Sequence, residues 1–113
     1  MKLAQNNFID LFNLMLHHAV TEKLRQDAKG VLQIASNNLN RWLASESFAG
    51  NERFALLEWE KILENSTPEE IIKIISQDTD EGQRLRSSSP FAGVLSDAER
   101  DKIWSECVEI RFV

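Results

Sequence analysis

Two arginines, Arg84 and Arg86, lead into three consecutive serines, Ser87, Ser88 and Ser89, and then into Pro90, Phe91, Ala92 and Gly93. A guanidinium carries five fixed donors whose geometry suits a carboxylate or a phosphate. The serines add hydroxyls, and the glycine-ended stretch adds a run of backbone N–H groups. Loops placed by a rigid scaffold often carry binding residues, so this segment is a candidate site for a small anion. The competing reading is structural: the arginines pair with acidic helices and the serines satisfy helix ends.

A second polar cluster is Asn37-Asn38-Leu39-Asn40-Arg41-Trp42. Asn38 falls close to the apolar stripe of Leu24 and Val31, so its amide is expected to be partly enclosed and to need hydrogen-bond partners. Asn38 and Arg41 therefore join Arg84, Arg86, Ser87, Ser88, Ser89 and Phe91 as candidate binding residues. For Asn38 the preferred reading is a polar contact that fixes helix register.

His17-His18 and Cys107 are the remaining reactive side chains. Adjacent helix positions lie about 100° apart, so the two rings do not converge on one metal, and no His-Glu-x-x-His motif accompanies them. They read as surface or border histidines, and Cys107 as a buried, inert thiol. Carboxylates close together, such as Glu58/Glu60 and Glu69/Glu70, serve capping and solubility. Phosphate-loop, nucleophile-elbow and nucleotide fingerprints are missing. The expectation is no catalytic residue, no metal and no cofactor.

The apolar spacing that must position these groups is helical almost throughout. The first segment, about Gln5 to Ala19, gathers Phe8, Leu11, Phe12, Met15, Leu16 and Ala19 on one face, widened by Ile9 and Val20 to about half the circumference. Asn6, Asp10, Asn13 and His17 lie opposite. A second, about Thr21 to Ser45, carries a stripe of Leu24, Ala28, Val31, Ala35, Leu39 and Trp42. Gly30 sits on its polar side, and a bend around Ala19–Thr21 is left open. A third helix, about Glu52 to Glu64, points Leu56, Trp59 and Leu63 one way and Phe54 and Leu57 the other. Central burial or an interface explains that pattern equally well.

Thr67-Pro68-Glu69-Glu70 is a helix start with an N-cap hydroxyl, a first-turn proline and a capping-box glutamate. The isoleucine-rich helix behind it is expected to be well buried. A turn or two of helix fits between Asp78 and Arg86, before Ser87–Pro90 breaks it. A second capping box, Ser96-Asp97-Ala98-Glu99, opens a last helix through about Glu109. The fold predicted is all-α: a compact bundle of five to six helices around a single core, forming one domain over residues 1–113.

Composition narrows the function classes. The 113 residues are 42% hydrophobic and 27% charged, with four Gly, two Pro and one Cys, which is ordinary for a folded, soluble domain. The lone cysteine excludes an internal disulfide framework and a cysteine-based zinc finger. Residues 1–50 hold five Lys/Arg against four Asp/Glu, and residues 51–113 eight against fourteen, for a net charge of −5. With its basic residues scattered among acidic ones, the chain lacks the stripe a nucleic-acid binder needs. No apolar run approaches the roughly 20 residues of a membrane span, and the N-terminus makes a poor signal peptide. A cytoplasmic protein is expected.

Glu81-Gly82-Gln83-Arg84-Leu85-Arg86-Ser87-Ser88-Ser89-Pro90-Phe91-Ala92-Gly93-Val94-Leu95, followed by Ser96 and Glu99-Arg100, resembles the C-terminal signature of an uncharacterised family of small bacterial helical proteins. Asn38-Leu39-Asn40-Arg41-Trp42 and Ala55-Leu56-Leu57-Glu58-Trp59 are similar to that family's two tryptophan-bearing helices, in matching order and spacing. The resemblance spans roughly residues 38 to 105. It implies a bacterial helical protein and brings no activity, cofactor or catalytic residue. A place beside a toxin in a paired operon suits the small acidic character, by analogy.

The leading functional expectation is a non-enzymatic protein–protein interaction module, a regulatory or antitoxin-like partner, with Phe54 and Leu57 as contact residues. The alternative is a small-anion or ligand-binding protein using the Arg84, Arg86 and serine loop. Self-association is expected as well, through Phe8, Ile9, Phe12 and Leu16, because a two-fold interface covers one apolar patch with its own copy. The opposing explanation is cover from the second and fourth helices of the same subunit.

Overall fold

Helical spacing becomes helix nearly everywhere in the computed structural model of the chain, which describes residues 6–112 and the side chains of 8–110. Among them six α-helices follow in order and no strand occurs: α1 Asn6–Gln26, α2 Ala28–Ala44, α3 Asn51–Asn65, α4 Pro68–Ser76, α5 Asp80–Arg86 and α6 Asp97–Phe112. The all-α class and the number of helices agree with the reading from spacing.

The first boundary differs from that reading. α1 runs unbroken through Ala19–Thr21, with the Thr21 hydroxyl donating to the His18 carbonyl, and the chain bends at Asp27 instead. Asp27 leaves helical geometry at φ −153° and ψ 75° and caps α2, its carboxylate accepting from the Gly30 N–H at 3.0 Å. Gly30 is therefore a first-turn residue of α2 rather than a mid-helix cost. A Cβ there would lie 2.2 Å from the Asp27 carboxylate, so glycine is what lets the cap close.

Both predicted capping boxes form. Thr67 and Glu70 exchange bonds at 2.8 and 3.2 Å, and Ser96 and Glu99 at 2.9 and 3.1 Å. Each pair satisfies two backbone donors that a helix start otherwise leaves open. Glu99 also meets Lys23 at 2.9 Å, tying the start of α6 to α1. Thr79 caps α5 by accepting from the Gly82 N–H. Gly82 is buried where α5 turns back on α4: a Cβ there would stand 2.2 Å from the Gln77 carbonyl oxygen. Backbone meets backbone at that point, and only glycine fits.

The buried apolar side chains form a cluster that draws on every helix, among them Leu24, Leu39, Trp59, Ile71, Ile75 and Cys107. α1 packs most closely on α4 and α6, α2 on α3, and α5 on α4. The wide apolar face of α1 is thus largely taken up within the chain. Phe8 and Phe12 set their edges against Trp104 of α6, with ring centroids 4.9 and 5.0 Å apart. α4 provides cover as one expectation had it, but α6 contributes more than α2. Of the four residues expected at a dimer interface, Phe8, Phe12 and Leu16 are half-buried and Ile9 is 55% exposed.

Central burial of α3 is not what the chain adopts. Leu56 and Trp59 enter the core, while Phe54 is 72% and Leu57 39% exposed.

Candidate functional site

The segment from Ser87 to Ser96 joins α5 to α6 without regular structure, and three distant side chains hold its backbone and hydroxyls. The Trp59 indole donates to the Leu85 carbonyl at 2.9 Å, where the chain leaves α5, adding to the longer bond from the Ser88 N–H at 3.3 Å. The Asn38 amide of α2 donates to the carbonyls of Pro90 and Ala92, each at 2.8 Å. Its own oxygen accepts from Arg41 at 2.8 Å. His17 of α1 sits 2.6 Å from the Ser89 hydroxyl. Phe91 fills the space between, its ring edge-on to Trp59 at 5.7 Å and to His17 at 6.4 Å. The two polar clusters of the sequence are therefore one structure, with Asn38 as the link.

Truncating that link has a definite expected outcome. Asn38→Ala leaves the Pro90 carbonyl without its donor inside the protein, and that costs about 2 kcal/mol in urea unfolding. A loss below about 0.5 kcal/mol would show that water replaces the amide freely.

His17 corrects the surface assignment. It is 5% exposed, because the Ser87–Leu95 segment roofs the side of α1 that carries Asn13 and His17. The ring Nδ1 lies 2.7 Å from the Asn13 carbonyl oxygen. A carbonyl only accepts, so Nδ1 carries the proton, and in the neutral ring Nε2 accepts from the Ser89 hydroxyl. Burial, aided by the positive charges of Arg86 and His18 and opposed by the Asn13 bond, brings the imidazole down to about 4. It is uncharged at neutral pH.

Between α1 and this segment lies a cleft of about 230 Å³. Leu16, Val20, Phe91 and Leu95 give it apolar walls, and Asn13, His17, Arg86, Ser89 and Arg100 supply polar groups. Arg86 is the unusual member. It is 4% exposed, its Nη1 donates to the Ile75 and Gln77 carbonyls, and its Nε is buried without a partner. Among the described residues Nη2 also lacks an acceptor, yet it is not sealed off as Nε is. No carboxylate forms an ion pair with it there. Burial lowers its proton affinity, and the more distant charges of Asp78 and Asp10 counter that in part.

Arg84, two residues earlier, has the opposite fate. On the exposed side of α5 it makes a two-pronged contact with Glu58 at 2.8 and 2.9 Å and another with Glu81 at 2.8 Å. These bonds raise the guanidinium and hold both carboxyls below their ordinary range. The structural reading of the arginines thus describes Arg84, which joins α3 to α5 and does not line the cleft. The serine protons are also committed: Ser87 donates to the Gln83 carbonyl at 2.9 Å, Ser88 more weakly to Leu85 at 3.5 Å, and Ser89 to His17.

Asn38 and Arg41 lie behind the segment as supports, and Phe54 and Leu57 lie on α3, apart from the cleft. Asn13, His17 and Arg100 are the polar lining residues that sequence reasoning did not nominate. His18 is exposed, and among the described residues no group of three or more His, Cys, Asp or Glu is placed to hold a metal. Cys107 is buried, its thiol pushed up by burial, with Sγ 3.2 Å from the Met15 sulfur. No described helix is long and apolar enough to cross a membrane. No protein-family description, curated protein or solved structure matches this chain.

Proposed function

We propose that this chain is a small-ligand-binding protein whose cleft between α1 and the Ser87–Leu95 segment takes an anionic group. The observation that carries the reading is Arg86. A buried guanidinium is costly unless paired, and here only two backbone carbonyls accept from it. Its unpartnered nitrogens belong to a residue in the wall of a ligand-sized cleft. An anion bound there supplies the missing charge. This is the anion-binding alternative of the sequence, with Arg86 in the recognition role, Arg100 exposed on the cleft's lining and Arg84 removed from it.

Thermal unfolding in a panel of sodium salts at constant ionic strength tests the reading. An anion present at 100 times its dissociation constant adds about 2.7 kcal/mol, which for a domain of this size raises the midpoint by about 10 °C. If no anion in the panel raises it above the chloride control, the reading fails.

A second reading, the protein–protein interaction module, is favoured by Phe54. At 72% exposure beside Leu57 it forms a small apolar patch on α3, and the strongly acidic half from residue 51 onward favours a basic partner. Phe54→Glu is expected to abolish capture of such a partner from the native host while leaving the melting curve unchanged. Equal recovery by variant and wild type would remove α3 from the interface. Sedimentation equilibrium treats self-association separately: a 13.0 kDa species at tens of micromolar excludes a dimer through Ile9.

A further inference from the structure

We infer, building on the anion reading above, that the cleft is built for a short aliphatic monocarboxylate. The guanidinium edge formed by Nε and Nη2 of Arg86 would receive its head, and Leu16, Val20, Phe91 and Leu95 its tail. Three observations lead there. The first is which edge of Arg86 is left over. Nη1 is engaged by Ile75 and Gln77, whereas Nε and Nη2 are not. Those two nitrogens share one side of the planar group and present parallel N–H bonds, the geometry that matches the two oxygens of a carboxylate.

The second is the count of charges and donors. Arg86 is the enclosed cation, His17 is uncharged, and Arg100 is exposed on the cleft's lining. One buried positive charge balances a monoanion and leaves a dianion with an enclosed excess. Phosphate oxygens also require several donors, and the neighbouring hydroxyls cannot give them. Ser89 has spent its proton on His17 and Ser87 on Gln83.

The third is the wall opposite. About 230 Å³ of cleft with four apolar residues on its sides accommodates a six-carbon body, since cavities of about 150 Å³ hold a molecule of that size. Nε is closed to water, so seating both carboxylate oxygens entails a side-chain rotation in the cleft wall, an ordinary accompaniment of binding.

Isothermal titration of the full chain with sodium acetate, butyrate and hexanoate, hexan-1-ol and inorganic phosphate tests the assignment. The dissociation constant should fall about fourfold for each methylene buried, so hexanoate should bind about 15-fold more tightly than butyrate. Hexan-1-ol, lacking the charge, should bind at least about tenfold more weakly than hexanoate. Phosphate should give no heat above dilution. Arg86→Lys keeps the charge and loses the two-nitrogen edge, and should weaken hexanoate by about tenfold or more. Because the chain-length series uses the wild-type protein, it decides even if that variant does not fold. Tight phosphate binding with no gain along the carboxylate series overturns the monocarboxylate assignment and leaves the anion reading standing. Equal binding of hexan-1-ol and hexanoate, or unaltered hexanoate binding by a folded Arg86→Lys, overturns the role of the guanidinium edge. No binding of any carboxylate or of phosphate overturns both.

Discussion

Replacing Trp59 with alanine is expected to remove about 3 to 5 kcal/mol of folding stability, the largest single-residue effect anticipated in this chain. The indole is fully enclosed, touches Phe91 edge-on and donates to the carbonyl that ends α5. The substitution therefore opens a large cavity and takes the shortest of the bonds to the Leu85 carbonyl, leaving it the longer ones from Ser88, two costs that add in the same direction. Trp59→Phe opens a smaller cavity and loses the same N–H, so an intermediate loss of about 1 to 3 kcal/mol is expected. Urea unfolding measures both. Amide exchange should also quicken in Ser87–Leu95 more than in α6, because the tryptophan anchors that segment. A Trp59→Ala cost below about 2 kcal/mol would mean that the surrounding helices collapse into the space.

Acid should weaken this fold well before its carboxylates titrate, and His17 is the reason. In the unfolded chain the imidazole takes a proton near its ordinary 6.5, and in the folded chain only near 4. Between those values the unfolded state binds more protons, so stability falls as the pH falls. The loss begins around pH 6.5 and is complete below about pH 4, with a total of about 3 kcal/mol. His17→Gln keeps a polar side chain that can donate to Asn13 and removes the titration. The difference between wild type and variant, followed by urea unfolding from pH 7.5 to pH 4, should vary over that window and be flat above it. Glu58, Glu70, Glu81 and Glu99 are held below their ordinary values, so their contributions disappear on further acidification and are common to both proteins. A constant difference across the window would show that the buried ring is protonated as readily as a free one.

What could be read from the sequence was what depends on neighbours along the chain. The two capping boxes need residues three positions apart, and the isoleucines of α4 carry their burial in their own spacing. The bend at Asp27 was missed because the apolar stripe of Leu24, Ala28 and Val31 passes through it without a gap. The only signal was an aspartate with a glycine three residues later. Arg84 and Arg86 look interchangeable in the sequence, but two residues of helix turn them about 200° apart, one to Glu58 and the other inward. Asn38 was half legible: its stripe implied enclosure, but its partners are backbone carbonyls, which every residue has. His17 was illegible, since its cover arrives 72 residues later and no local pattern records it.

The packing of α1 on α4 and α6 also has a consequence for the nascent chain. α1 is the earliest of the six helices to be translated, and the surfaces that receive Phe8, Phe12 and Leu16 are among the last. At roughly 5 to 20 residues per second, the ribosome takes roughly 3 to 10 seconds from Gln26 to the end of α4, and longer to complete α6. Throughout that interval, until α4 appears, only α2 is at hand to cover the broadest apolar face of the protein. Chaperone binding to ribosome-held chains should therefore peak on α1 and decline as α4, and then α6, becomes free to pack on it.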